Sequence, residues 1–160
     1  MTAVELDRTL RNTSWLLTFA LVGFSLFLYV ELPESVVIES AGQVEEERVY
    51  KRYVLFIAML CFTLVQLMNR WAKVPHKHPY WVRITPENQG ELYRNSIRML
   101  RYWQVLFALF AWLLLYHLLQ SFQGNTDAYL TNIIQIALAV LALPLLINVY
   151  QTYRIAQNAK

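Results

Sequence analysis

Between Arg101 and Asp127 the chain carries no charged residue, and that interval constrains the fold more than any other. A bilayer core about 30 Å thick needs roughly 20 apolar residues in a helix, and Tyr102 to Phe122 meets that requirement. The residues before it look like the start of the same helix. Thr85 is a good N-cap, Pro86 suits the first helical position, and Glu87 in the first turn favours the positive end of the dipole. Arg94, Arg98 and Arg101 follow at spacings of four and three, which places them on one face. One helix is therefore expected to leave a basic surface and enter lipid.

Three further apolar runs share this character: Trp15 to Val30, Tyr53 to Met68 and Tyr129 to Tyr150. Apolar residues make up 57% of the chain and aromatic residues 14%, more apolar surface than a water-soluble domain of this length can hide. The expected architecture is an all-α membrane protein: four transmembrane helices in an antiparallel bundle, the third extended into the cytoplasm. The whole chain, 1–160, reads as one membrane domain. Its spans lie at about 15–31, 50–69, 102–122 and 129–151, with a cytoplasmic basic connector at 70–101. The first run has bulky Tyr29, Val30 and Leu32 where a cleavage site needs small residues, so it reads as a retained helix.

Charge placement gives the orientation. With both termini in the cytoplasm, the inner segments carry Arg8 and Arg11, then seven basic residues in the connector, then Arg154 and Lys160. The outer loops carry only Arg48, Lys51 and Arg52, and the positive-inside rule favours this arrangement. The first outer loop is acidic, with Glu45, Glu46 and Glu47 expected to open the second helix and offset those three cations. Val36, Val37 and Ile38 favour an extended chain before Gly42 marks a turn. In the fourth run Ala137, Ala139 and Ala142 suit close helix packing, and Pro144 is expected to bend the helix.

Few groups carry chemistry. His117 is the one histidine inside an apolar run, where a proton relay or a metal or haem ligand is the functional reading. A hydrogen bond to a neighbour such as Gln120 is the structural one. The other intramembrane polar residues are Gln66, Asn132, Gln135 and Asn148; Asn132 and Gln135, three apart, are expected to face the bundle or a partner. His76 and His78 flank Lys77 in a Pro-bounded segment, which reads as a rigid basic surface turn rather than a metal site. Arg94, Arg98 and Arg101 with Trp103 suit anionic lipid headgroups or a partner surface. No phosphate-binding glycine loop, nucleophile–base pair, paired intramembrane carboxylates or cofactor-binding set occurs, so the chain reads as non-enzymatic.

Two stretches resemble a bacterial family of small multi-pass membrane proteins related to the SdpI-type immunity proteins. The first runs from Leu32-Pro33 through Gly42 to Lys51, with Glu39 and Ala41 near the places of that family's histidine and asparagine. The second is Tyr80-Trp81-Val82-Arg83-Ile84-Thr85-Pro86-Glu87-Asn88, followed by Tyr93-Arg94 and Met99-Leu100-Arg101. The resemblance implies a bacterial inner-membrane location and an immunity or signalling role. The expected function is a binding module for a peptide, protein or lipid. The alternative is an accessory structural subunit of a larger membrane complex. Membrane lipids and a protein partner within the membrane are the expected partners, and no nucleic acid is. A transporter or redox carrier built on His117 is the weakest reading, because no broken helix pair is evident.

Overall fold

The computed structural model describes residues 3–38, 47–123 and 128–158. It is a bundle of four helical spans, each long and apolar enough to cross a membrane. Helix α1 covers Ala3–Glu31, α2 Arg52–Trp71 and α3 Gln89–Phe122. The fourth span is divided into α4, Ala128–Val140, and α5, Leu143–Asn158. Among the described residues the β structure is one antiparallel ribbon, β1 (Ser35–Ile38) with β2 (Glu47–Tyr50), pairing Ser35 with Tyr50 and Ile38 with Glu47.

Side-chain hydrogen bonds fix the helix directions. Arg101 reaches Asp7, and Trp112 donates through Nε1 to the Leu17 carbonyl at 3.1 Å, so α3 runs parallel to α1. Arg101 also reaches Asn69, while Gln104 donates to the Val65 carbonyl, so α2 runs the opposite way. Asn95 meets Thr152 and Trp103 meets Leu141, making the fourth span antiparallel to α3.

The three-helix core is built on small residues at coiled-coil spacing. On α1 the buried positions are Ser14, Thr18, Leu21, Ser25 and Leu28; on α2 they are Val54, Ala58, Cys61 and Val65. Both series alternate steps of four and three, which keeps one stripe against a neighbour. Helix α3 contributes Ala108, Ala111 and Leu115. Ser14 and Thr18 donate to carbonyls of their own helix, so their hydroxyls are satisfied where they sit beside Leu21 and Leu28 in the seam. Lipid tails give no hydrophobic drive for helix association, so close packing of this kind must supply it.

Several expectations change. Helix α1 is continuous from Ala3, longer by over a dozen residues than the apolar run, because nothing breaks it between Val4 and Trp15. Regular α3 begins at Gln89, not beside Thr85. Asn88 closes the preceding turn, its Oδ1 accepting from the Thr85 N–H at 2.8 Å and its Nδ2 donating to Arg83. The Thr85 carbonyl still accepts from the Gln89 N–H as a cap carbonyl would. Glu47 lies in β2 instead of opening α2, since it pairs with Ile38; Glu45 and Glu46, with Gly42, lie outside the described residues. Lys51 sits over the Tyr29 ring and Arg52 over Tyr50, at 4.8 and 4.5 Å, so aromatic faces receive these cations. The close packing expected of the fourth run is instead in α1 to α3: Ala139 and Ala142 are exposed and Ala137 half-buried.

Pro144 does more than bend its helix. The chain leaves helical geometry at Leu141–Ala142, and the Leu145 N–H bonds the Ala142 carbonyl three residues back. The Leu141 carbonyl thereby loses its usual acceptor role within the helix and takes the Trp103 indole N–H at 3.0 Å. An unpaired carbonyl at this depth costs several kcal/mol, roughly, so α3 supplies what the break in the fourth span removes.

Candidate functional site

The predicted basic stripe on α3 divides into two environments. Arg94 is exposed and Arg98 half-buried, but Arg101 is buried to 5% exposure inside the bundle. Its Nε donates to Asp7 Oδ1 at 3.1 Å, and its Nη1 donates to Asn69 Oδ1 at 2.9 Å and Gln104 Oε1 at 3.0 Å. Arg101 is thus withdrawn from headgroups and ties α1, α2 and α3 at one level. The helical spacing is as expected; the difference is that α1 extends below its apolar run and brings Asp7 alongside. Trp103, grouped with this stripe in the sequence, is half-buried and spends its N–H on Leu141.

Arg94 and Arg98 instead border the gap between α3 and α5. Two adjoining clefts lie there, of about 380 and 350 Å³, and Asn95, Arg98 and Gln151 line both. The larger is walled by apolar residues such as Leu106, Val140 and Leu143, with Pro144 at the helix break. The smaller, at its polar end, adds Arg94, Arg154 and one acid, Glu91. Asn95 bridges the gap by donating to the Asn148 carbonyl and the Thr152 hydroxyl, at 3.3 and 3.2 Å. The Asn148 amide nitrogen is buried on the cleft wall without a protein acceptor.

The connector is pinned by His78. Its Nε2 lies 2.9 Å from the Trp71 carbonyl, which can only accept, so Nε2 carries a proton. Its Nδ1 meets the Ser96 hydroxyl on α3, and the ring lies against Trp71 and Tyr80. Tyr80 donates to the Pro75 carbonyl at 2.8 Å and packs on Tyr93. Burial pushes the Tyr80 phenol above its ordinary value, with hydrogen bonding to Ser96 opposing the shift. His78 therefore fastens the end of α2 to α3. His76 is exposed on the short helical turn Pro75–Lys77.

The intramembrane polar residues do not converge. Gln66 and His117 are half-buried on α2 and α3, while Asn132 and Gln135 are exposed on α4, facing away from the bundle. Of that group only Asn148 joins the cleft. Sequence reasoning missed Asp7, Asn69, Gln104 and Asn95 as polar bonding groups; Gln104, in a charge-free run, was the one visible signal. Comparison with known protein families, curated proteins and solved structures finds no match to this chain.

Proposed function

We propose that this chain is a non-enzymatic binding module of a bacterial inner membrane, with both termini and the basic connector on the cytoplasmic side. The observation that carries the reading is the cleft between α3 and the fourth span. There a tightly packed three-helix core holds one loosely attached helix, and the gap between them is apolar at one end and arginine-lined at the other. A bundle serving only to fill a membrane has no need of such a gap. Peptide, protein and lipid ligands all match its mixed character. The SdpI-type resemblance adds an immunity or signalling role to this proposal, and basic residues concentrated on the connector side support the orientation.

A second reading, an accessory subunit of a larger membrane complex, is favoured by Asn132 and Gln135. Polar side chains on a lipid-exposed helix face are better satisfied by a neighbouring protein helix than by hydrocarbon. Purification from native membranes in mild detergent, followed by identification of co-purifying molecules, separates the two. A ligand lost on altering Arg98 supports the module. A stable complex lost on altering Asn132 and Gln135, with Arg98 indifferent, overturns it in favour of the subunit. Impermeant thiol labelling of Glu34→Cys and Lys77→Cys in intact cells tests the orientation: only the first should react.

A further inference from the structure

We infer that the α3–α5 cleft is a site for one anionic phospholipid drawn from the leaflet on the connector side, and this inference rests on the binding-module reading. Three features, each at its own level, match three parts of such a molecule. The apolar wall of Leu106, Val140, Leu143 and Pro144 suits an acyl chain. Its volume of about 380 Å³ falls within the range of roughly 300–1,000 Å³ typical of small-molecule sites. At the other end Arg94, Arg98 and Arg154 outnumber Glu91, so the mouth is cationic and suits a phosphate. Between them the buried Asn148 amide nitrogen lacks an acceptor, and the ester and glycerol oxygens of a phospholipid sit at that boundary between charge and hydrocarbon.

The charge pattern argues for a lipid over a second copy of this chain. A second copy would bring its own arginine-rich end to the same side of the membrane, setting cations against cations. The break at Leu141–Ala142 has a place in this scheme. The helical geometry lapses beside Pro144, and Pro144 itself lines the cleft. Trp103 holds the broken segment at a fixed point, so the cleft has a built roof rather than two sliding helices.

The test uses the full chain, purified in mild detergent, titrated with fluorescent phosphatidylglycerol and with phosphatidylcholine bearing the same chains. Phosphatidylglycerol should bind at least tenfold more tightly. Arg98→Gln combined with Arg154→Gln should weaken it about thirtyfold while leaving phosphatidylcholine unchanged, since each headgroup-facing arginine contributes several-fold. Leu143→Trp, which narrows the apolar wall, should weaken both lipids. Inorganic phosphate at millimolar concentration should not displace the probe; displacement would identify a phosphate site and overturn the lipid assignment. Equal affinity for the two lipids would overturn it too, as would dimerisation that excludes the probe. Arg94→Gln alone, at an exposed position, provides a variant whose folding is not in question and should still weaken the anionic probe several-fold. If the lipid arms fail while a co-purifying peptide or protein is lost with Arg98→Gln, this inference falls and the binding module stands. If Arg98→Gln affects no co-purifying species, both fall.

Discussion

Replacing Asp7 by alanine tests whether the Arg101 node holds the bundle together. The Arg101 side chain is 7% exposed and that of Asp7 37%, so removing the carboxylate strands a mostly buried guanidinium. Breaking a fully buried pair costs about 3–5 kcal/mol. Two features reduce that figure here: Asp7 is partly open to solvent, and Arg101 keeps its bonds to Asn69 and Gln104. A single hydrogen bond to a charged group contributes about 1.5–3 kcal/mol, so Asp7→Ala should destabilise by about 2 kcal/mol. Arg8→Ala, exposed on the same helix, should stay within about 0.5 kcal/mol of the parent. The assay is reversible unfolding in mixed micelles of mild detergent and SDS, followed by tryptophan fluorescence. In a cycle with Arg101→Met, the double variant should cost less than the two single changes together, with a coupling of about 1–2 kcal/mol. Raising the ionic strength should leave that coupling nearly unchanged, because the cation is buried. Additive single changes, or an Asp7→Ala cost equal to that of Arg8→Ala, would refute the assignment.

Other consequences follow from the same geometry. Trp103→Phe removes the donor to Leu141 and should lower stability by about 1–3 kcal/mol; Pro144→Ala, which lets the span regain α-helical geometry so that the Leu145 N–H returns to the Leu141 carbonyl, should make that loss smaller when combined with it. Ala108→Leu overfills a fully buried position and should cost about 1–3 kcal/mol in the same unfolding assay, while Ala142→Leu at an exposed site should be close to neutral. His78→Ala unfastens the connector and should speed tryptic cleavage at Lys73, Lys77 and Arg83 severalfold relative to His76→Ala; equal cleavage would show that His78 fastens nothing.

The spans were legible because the physics of crossing a bilayer is one-dimensional. A run without charge and with sufficient length can be recognised from local sequence alone, and the extension of α3 below the apolar segment follows from its arginine spacing, although a cap at Thr85 would start it at Pro86 rather than Gln89. What packs against what is a different kind of information. Arg94, Arg98 and Arg101 look equivalent along the sequence, yet one is buried and two border a cleft, because the distinction depends on where Asp7, Asn69 and α5 come to lie. The seam through Ser14, Thr18, Leu21, Ser25 and Leu28 was present in the sequence as steps of four and three. It was masked by the bulky residues between those positions, of which Leu16, Phe19, Leu26 and Phe27 are exposed while Trp15, Leu17 and Val22 pack at the edge of the core. The alanines of the fourth run gave a stronger compositional signal but occupy a helix that Pro144 has interrupted.

That interruption links the fold to the proposed role. If the fourth span were continuous and packed as tightly as α1 and α2, Asn148 would be sealed against α3 and would need a protein acceptor. Instead the chain breaks the helix at Leu141–Ala142, closes the resulting gap at one point with the Trp103 indole, and leaves the rest of the groove open toward three arginines. A helix break costs hydrogen bonds that lipid cannot replace, so it persists where surrounding groups satisfy the freed backbone. Here the indole from α3 does so for the Leu141 carbonyl. The same tryptophan that stabilises the broken span also sets its distance from α3 at the break. Trp103→Phe should therefore weaken binding of an apolar or amphipathic ligand at temperatures where the bundle remains folded. A change in stability without a change in binding would separate the two roles and leave the indole a structural group alone.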